Sequence, residues 1–319
     1  MKKVTLLSFS LALSAGIASA QTVAVDKEIK SYEKISGVSG KLNSIGSDTL
    51  NNLMGLWMEG FKKAYPNVKT EFEGKGSSTA PPALIKGSSQ LGPMSRMMKS
   101  TEIDEFEKKF GYKPTAIPVA IDALAVYVHK DNPIKGLTLE QLDSIFSSSK
   151  KRGGKDITKW GEAGLGDWAT KPISLYGRNS ASGTYGYFKK NVLNGGDYRD
   201  SVKEQPGSSA VVQGVAADLG GLGYSGIGYK TSGVRAIALG EETSKLFDPS
   251  VGNCLSGDYP LARFLVVYVN KKPGQPLDTL TQEFIKYVIS KEGQEIVVKD
   301  GYYPLPASVV DEQTKAISK

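Results

Sequence analysis

The sequence predicts an α/β protein of two domains, and three observations predict it. From Lys41 onward, short β-like runs alternate with segments of helical spacing, the pattern of α/β layers with largely parallel strands. Two long apolar runs, at 117–128 and 264–269, enclose a block with strands and helices of its own. The length of 319 residues suits two cores of ordinary size. The simplest architecture joins residues 38–121 and 265–319 into one discontinuous domain, gives residues 122–264 to the other, and crosses between them twice. Tandem repeats are absent.

In chain order, Met1, Lys2 and Lys3 precede an apolar run at 4–17, and Ala18, Ser19 and Ala20 precede Gln21. This is the layout of a secretory signal peptide at 1–20, so a mature chain starting at Gln21 is expected in the periplasm. No cysteine stands at the cleavage site to carry a lipid anchor, and no later stretch reaches the roughly 18 apolar residues of a membrane span. Cys254, the single cysteine, cannot close an intramolecular disulfide and is expected to be a small buried filler. Losing Lys2 and Lys3 lowers the formal charge of +7 by two. The remaining bases lie among acids, as in Glu105-Phe106-Glu107-Lys108-Lys109, and form no stripe with aromatics, so no nucleic-acid partner is expected.

Leu50, Leu53, Met54, Trp57, Phe61 and Tyr65 recur at helical spacing and predict the first helix, ended by Pro66 and Asn67. Residues 68–73 alternate as a strand does. Pro81 and Pro82 then suit the first turn of a helix running through Leu84 and Ile85. A third strand-to-loop passage follows at 90–96. Inside the enclosed block, 139–146 and 208–219 read as helices, and the Gly- and Lys-rich 150–170 as a surface excursion. The run Ile173-Ser174-Leu175-Tyr176 reads as a strand, and Tyr187, Phe188, Val192 and Leu193 as the apolar positions of the next helix.

Three loops share one chemistry: Gly46-Ser47-Asp48-Thr49, Gly76-Ser77-Ser78-Thr79, and Ser182-Gly183-Thr184 behind Arg178. Each sets hydroxyls beside glycine at a predicted helix start, where free N–H groups and the positive end of the dipole favour anions, by roughly 0.3 to 1 kcal/mol at an exposed site. Arg178 adds a planar fork that can grip two oxygens of one tetrahedral anion. Three ordinary N-caps on separate surfaces form the competing reading, since Ser and Thr lead the cap preferences.

These residues resemble the substrate-binding proteins of phosphate ABC transporters, periplasmic binding proteins of the two-domain class. The resemblance covers nearly the whole chain after the leader. It rests on Arg178-x-x-x-Ser182-Gly183-Thr184, the most specific element, on Gly76-Ser77-Ser78, on Gly46-Ser47-Asp48-Thr49 and on Ile227-Gly228-Tyr229. It implies the type II periplasmic-binding-protein fold, inorganic phosphate in the interdomain cleft, closure about two hinge crossings, and delivery to a membrane permease. The phosphate ligands it implies are Arg178, Ser182, Gly183 and Thr184, with Ser77 from the second loop and Ser47, Thr49 and Leu50 from the first. One departure stands out. Better-known members carry an aspartate in the third loop that accepts a hydrogen bond from the protonated phosphate oxygen and rejects sulfate, whereas that position here is Ser95, followed by Arg96. Asp48 in the first loop is left either as the acceptor or as a cap for the helix beginning near Leu50.

Other motifs carry no chemistry. Gly221-Leu222-Gly223-Tyr224-Ser225-Gly226 fits G-x-G-x-x-G but follows a helical segment and leads into a strand-like 227–229, the reverse of a dinucleotide site. His129, the only histidine, reads as a strand-end residue, and one His with one Cys starves a zinc site. The sequence therefore points to an exported, monomeric, non-enzymatic binder of phosphate that needs no cofactor or metal. The alternatives are a binder of another tetrahedral oxyanion, or a secreted phosphatase or phosphoryl-transfer enzyme with Asp48 or Ser47 as nucleophile, which would lack metal ligands and a candidate base.

Overall fold

The computed structural model describes residues 23–318, so the leader expected at 1–20 lies outside the described residues. Strand β1 (Gly40–Ile45), helix α1 (Asn51–Ala64) and strand β2 (Val68–Glu73) form a crossover unit in which the two strands pair in parallel, from Gly40 opposite Val68 to Ile45 opposite Glu73. Leu53, Met54, Trp57, Met58 and Phe61 give α1 one buried stripe, and each such side chain contributes roughly 1.5 to 3 kcal/mol by leaving water. Helix α2 (Ala80–Lys86) starts with Pro81 and Pro82 in its first turn and ends on Gly87 in the left-handed conformation. Strand β3 (Gly92–Met94) follows beside β1, bridged from Leu91 to Ser44, and leads to α3 (Ser100–Phe110).

Strand β4 (Thr115–His129), 15 residues long, contains the apolar run 117–128 seen in the sequence, and it serves two neighbourhoods. The enclosed block then runs β5 (Gly136–Thr138), α4 (Leu139–Phe146), β6 (Ser174–Arg178), α5 (Gly183–Asn191), β7 (Lys203–Gln205) and α6 (Ser208–Ala216). It continues through β8 (Gly221–Gly226), β9 (Val234–Ala236), β10 (Ala238–Glu242), β11 (Lys245–Phe247) and α7 (Val251–Ser256). The chain returns along β12 (Ala262–Val269) and closes with α8 (Thr279–Ile289), α9 (Lys291–Lys299) and α10 (Ala307–Ser318). The large sheet has the order β3-β12-β4-β8-β6-β7, with β9 also on β4, while β11-β10-β5 make a small one. Residues 115–123 of β4 pair with β12, and residues 124–128 pair with β8. One strand thus belongs to two lobes.

Each lobe has helices on both faces of its strands. In the first, α1 meets α8 and α9, with Phe61 edge-on to Phe284 at 5.3 Å and the Trp57 indole donating to Gly293 O at 2.9 Å. Ala80, Leu84, Met94, Met98, Phe106, Val266 and Tyr268 fill the opposite face under α2 and α3. In the second, Val211, Val212 and Val215 of α6 are buried. Phe188 stacks on Tyr224 at 4.0 Å and meets Phe146 at 5.1 Å.

Three expectations change. The strands are mixed: β1, β2, β6, β7 and the β6–β8 pair are parallel, but β4 and β12 run antiparallel to each other and β4 antiparallel to β8. A chain that leaves a lobe and comes back must reverse direction at the crossing. Residues 227–229 are a 3-10 turn and the preceding six glycine-rich residues are the strand, because Gly221–Gly226 is buried throughout as β8. The segment at 150–170 has little regular structure but is not wholly superficial, since Trp160 is fully buried and donates to Gly220 O at 3.1 Å. His129 ends β4 and Cys254 is buried, as the sequence suggests.

Asp300 follows α9 as its C-cap, half-buried, and burial pushes its carboxyl up to about 6 from 3.8. A raised value means the fold prefers the protonated acid. This contribution is fully present below about pH 4 and is lost as pH rises through about 6. Asp300→Asn should therefore match wild type at pH 4 and exceed it at pH 8, by about 1 kcal/mol after discounting for solvent screening of a partly exposed group. Denaturant melts at both pH values measure this, and an equal difference at the two would remove the assignment.

Candidate functional site

Five loops meet between the lobes: those after β1, β2 and β3 from one side, and those after β6 and β7 from the other. All ten residues singled out in the sequence stand on them or on the strand end and helix start that border them. Ser47, Thr49, Leu50, Ser77, Ser95, Arg178, Ser182, Gly183 and Thr184 are buried, and the Asp48 side chain retains 20% exposure. The first loop reaches the fourth through Thr49 Oγ1 and Thr184 Oγ1 at 2.9 Å. Ser95 Oγ lies 3.0 Å from Ser47 Oγ, 3.3 Å from Ser77 Oγ and 3.5 Å from Thr184 Oγ1. Ser78 N–H donates across the cleft to Ala181 O at 3.1 Å. The Leu50 side chain joins the core, so only its backbone is left for the site.

This proximity depends on two glycines. A Cβ at Gly183 would overlap Ser77 Oγ and come within 2.6 Å of Ser95 Oγ. Gly76 has φ +119°, a conformation that side chains rarely adopt, and a Cβ there would stand 2.5 Å from Ala181 O.

The hydroxyls share a polarity. Ser47 Oγ accepts from Thr49 N–H at 3.2 Å, Ser77 Oγ from Ser95 N–H at 3.0 Å, and Ser182 Oγ from Thr184 and Tyr185 N–H at 3.1 and 3.3 Å. Thr184 Oγ1 accepts from Arg263 Nη2 at 2.9 Å. A hydroxyl has one proton and two lone pairs, so one that accepts from a fixed N–H keeps its proton to donate, as Ser47 does to Ser95 Oγ. The cleft therefore presents donors, the requirement of an oxyanion site.

Arg178 is 2% exposed. Its Nη1 donates to Ser208 Oγ at 2.8 Å and stands 3.0 Å from Asp48 Oδ2, its Nη2 donates to Pro206 O at 3.3 Å, and its buried Nε has no partner among the described residues. Asp48 Oδ2 also accepts from Ser208 N–H and Ser208 Oγ–H, both at 2.7 Å. The carboxylate thus faces across the cleft to the start of α6. The reading of Asp48 as a helix cap is corrected: Ser47 caps the turn at 48–50, and Leu50, at the N-cap of α1, makes no side-chain cap bond. Two tyrosines brace the same loop, with Tyr229 Oη donating to Asp48 O at 2.8 Å and Tyr302 Oη to Thr49 O at 2.9 Å. Burial raises both phenols far above their ordinary value, with the Asp48 charge adding for Tyr229 and Asp122 for Tyr302, so both remain donors.

The sequence reading passed over Ser208, Asp122 and Arg263. Ser208 opens α6 behind Pro206 and Gly207, a fourth glycine-hydroxyl helix start. Asp122 and Arg263 each interrupt an apolar strand, and a lone charge in such a run signals a buried partner. Arg96 buttresses the third loop from outside: both its terminal nitrogens bond Glu102 at 2.7 Å, and Nη2 also reaches Ser78 Oγ at 3.2 Å.

A model of the PBP superfamily domain matches residues 32–292. The phosphate-binding protein PstS of Pseudomonas aeruginosa is 55% identical over 321 residues, which cover 99% of each chain. A Clostridium perfringens protein whose crystal structure holds bound phosphate aligns with TM-score 0.70 and 26% identity, covering 84% of this chain and 100% of that one. An ABC-type phosphate transport receptor from Vibrio cholerae has the same fold, with TM-score 0.65 and 23% identity over 83% of this chain and 100% of its own.

Proposed function

The chain belongs to the PBP superfamily, in the family of the phosphate-binding protein PstS, and from that premise we propose that it binds inorganic phosphate reversibly between its lobes and delivers it to the permease of an ABC transporter. One observation carries the reading at the level of atoms: Ser47, Ser77, Ser182 and Thr184 lie close together in one small buried volume and each accepts from a fixed N–H, which leaves its proton for a neighbouring hydroxyl, as Ser47 gives its own to Ser95 Oγ, or for an anion. In that volume the anion loses its water and gains oriented donors that cost no reorganisation. Ser95 and the amides of Thr49, Leu50 and Gly183 complete the proposed set. The protein acts as a monomer, exported to the periplasm by its leader without a lipid anchor.

The hinge we propose is the place where β4 changes partner, between Ala123, paired with Ala262, and Leu124, paired with Gly226. It lies close to the domain limits inferred from the sequence, 38–121 with 265–319 against 122–264. Closure about this line brings the loops after β1 to β3 onto those after β6 and β7, and gives the permease a distinct shape to recognise.

Asp48 is the acceptor in this reading. Three donors converge on Oδ2, which leaves Oδ1 for the P–OH of a protonated phosphate, while sulfate has no hydrogen to give. Enzymatic use of the same residues is disfavoured. Ser47 Oγ accepts from a backbone N–H and donates to Ser95 Oγ, a hydroxyl too weakly basic to activate it, and Asp48 Oδ2 is held by Arg178 and Ser208.

Calorimetric titration with phosphate, sulfate and arsenate tests the function, and saturable sulfate binding without phosphate binding would overturn it. Steady turnover of a chromogenic phosphate ester would end the binding-only reading. Arg178→Ala leaves the dianion and Asp48 undercompensated and should cost about 2 to 5 kcal/mol of phosphate affinity, with Arg178→Lys restoring only part of it. A loss under about 1 kcal/mol, a few-fold in affinity, would remove Arg178 from the site. Asp48→Asn replaces the proposed acceptor by a group that can also donate. It should weaken phosphate binding modestly while sulfate gains, so that the ratio of the two constants narrows in competition titrations at fixed ionic strength. An unchanged ratio would return the acceptor role to another group.

A further inference from the structure

We propose that Arg263 is a positioning residue of the phosphate site, setting the direction of the Thr184 hydroxyl, and that Asp122 holds it in place from the crossing strands. The proposal rests on the phosphate-binding reading and adds to it a residue pair that lies on no glycine-hydroxyl loop. Arg263 on β12 stands directly opposite Asp122 on β4, at the end of their shared ladder. Asp122 is fully buried and Arg263 is 8% exposed. Arg263 Nε and Nη2 both donate to Asp122 Oδ2, at 3.0 and 2.7 Å, and the other carboxylate oxygen accepts from Ile227 N–H at 2.9 Å, just beyond β8.

The guanidinium then reaches both sides of the cleft. Nη1 donates to Ser95 O at 2.7 Å, in the third loop, and Nη2 donates to Thr184 Oγ1 at 2.9 Å, at the start of α5. Tyr187 supports it from α5, with its ring centroid 5.0 Å from the guanidinium carbon. A guanidinium only donates, so Thr184 Oγ1 accepts and must send its single proton elsewhere, toward Thr49 Oγ1 or an anion. Without that donor the hydroxyl is free to turn and present a lone pair to the anion, a repulsive arrangement. Arg263 therefore acts on phosphate through Thr184 and through the seating of Ser95. An ion pair that merely held two strands together would affect stability alone.

A double-mutant cycle separates the two roles. Asp122→Asn/Arg263→Gln removes both charges together, so that no lone buried carboxylate remains. It also keeps an acceptor for Ile227 N–H and shortens the arm that reaches Thr184. Phosphate affinity by calorimetry should fall about 10- to 100-fold, and Thr184→Val alone should weaken it comparably. Combined, the changes should weaken binding by no more than about threefold beyond the worse of the two, because both remove the same oriented donor. Ser182→Ala, whose hydroxyl Arg263 does not touch, is the control, and its loss should multiply with that of the Asp122/Arg263 pair. Unchanged affinity in Asp122→Asn/Arg263→Gln, or full multiplication of its loss with that of Thr184→Val, overturns the inference while wild-type binding stands. A wild type that does not bind phosphate overturns the parent reading and this inference with it. Should the paired variant fail to fold by circular dichroism, Arg263→Lys, which keeps a charge against Asp122, enters the same cycle with the same deciding outcomes.

Discussion

The contact between Arg178 and Asp48 ties the two sides of the cleft together, since among the described residues no other ion pair joins the loops of one lobe to those of the other. Burying a guanidinium this deeply costs several kcal/mol unless its partners are well placed. Here Asp48 Oδ2, the Ser208 hydroxyl oxygen and the Pro206 carbonyl compensate most of it, while Ser208 in turn donates twice to Asp48, yet Nε has no partner among the described residues. The cleft is therefore balanced rather than strongly positive. That balance matters for a reversible carrier, because an uncompensated buried cation would hold a dianion too tightly to release it and would make the open form costly.

The proposed selectivity rests on a second constraint, the direction of each proton. Net charge distinguishes phosphate from sulfate poorly, because both are compact tetrahedral anions. In the proposed phosphate site, the hydroxyls that accept from Thr49, Ser95, Thr184 and Tyr185 N–H and from Arg263 are the donors for unprotonated oxygens, and Asp48 is the proposed acceptor for a protonated one. These orientations are held by backbone amides and by side chains that the fold fixes. The pattern thus persists without a ligand to impose it, which is the meaning of preorganisation.

The crossing strands carry the mechanical side of the same design. Because β4 continues from one lobe into the other, the proposed rotation about its midpoint would leave the pairing on both sides intact and concentrate change in a few backbone angles. The Asp122–Arg263 pair sits at that midpoint and reaches into the site. The two lobes share one connected core through β4, which makes their relative movement a bending of a packed unit and not the drift of two beads on a linker.

How much was legible in the sequence follows from how local each feature is. Crossover units, helix stripes and the three glycine-hydroxyl loops depend on neighbours a few residues apart, so Leu53, Trp57 and Phe61, or Ser182 before Gly183, announce their roles by spacing. The long apolar run at 117–128 announced a crossing between the two parts of the chain by its length. Strand direction was not legible, because parallel and antiparallel ladders bury similar side chains, and β4 and β12 are antiparallel only because the chain must come back. Nor could spacing choose between cap and acceptor for Asp48. Ser208 and Arg178, at 160 and 130 residues' remove, draw its carboxylate across the cleft while Ser47 takes the cap, which removes the cap reading and leaves the acceptor role as the proposal. Arg263 and Asp122 showed in the sequence only as charges misplaced in apolar strands, and their meaning came from the register that sets them opposite each other. The sequence by itself determined the chemistry available, donors at helix starts and a fork of positive charge. The tertiary structure decided which protons point inward, because the direction of a hydroxyl depends on what stands behind it.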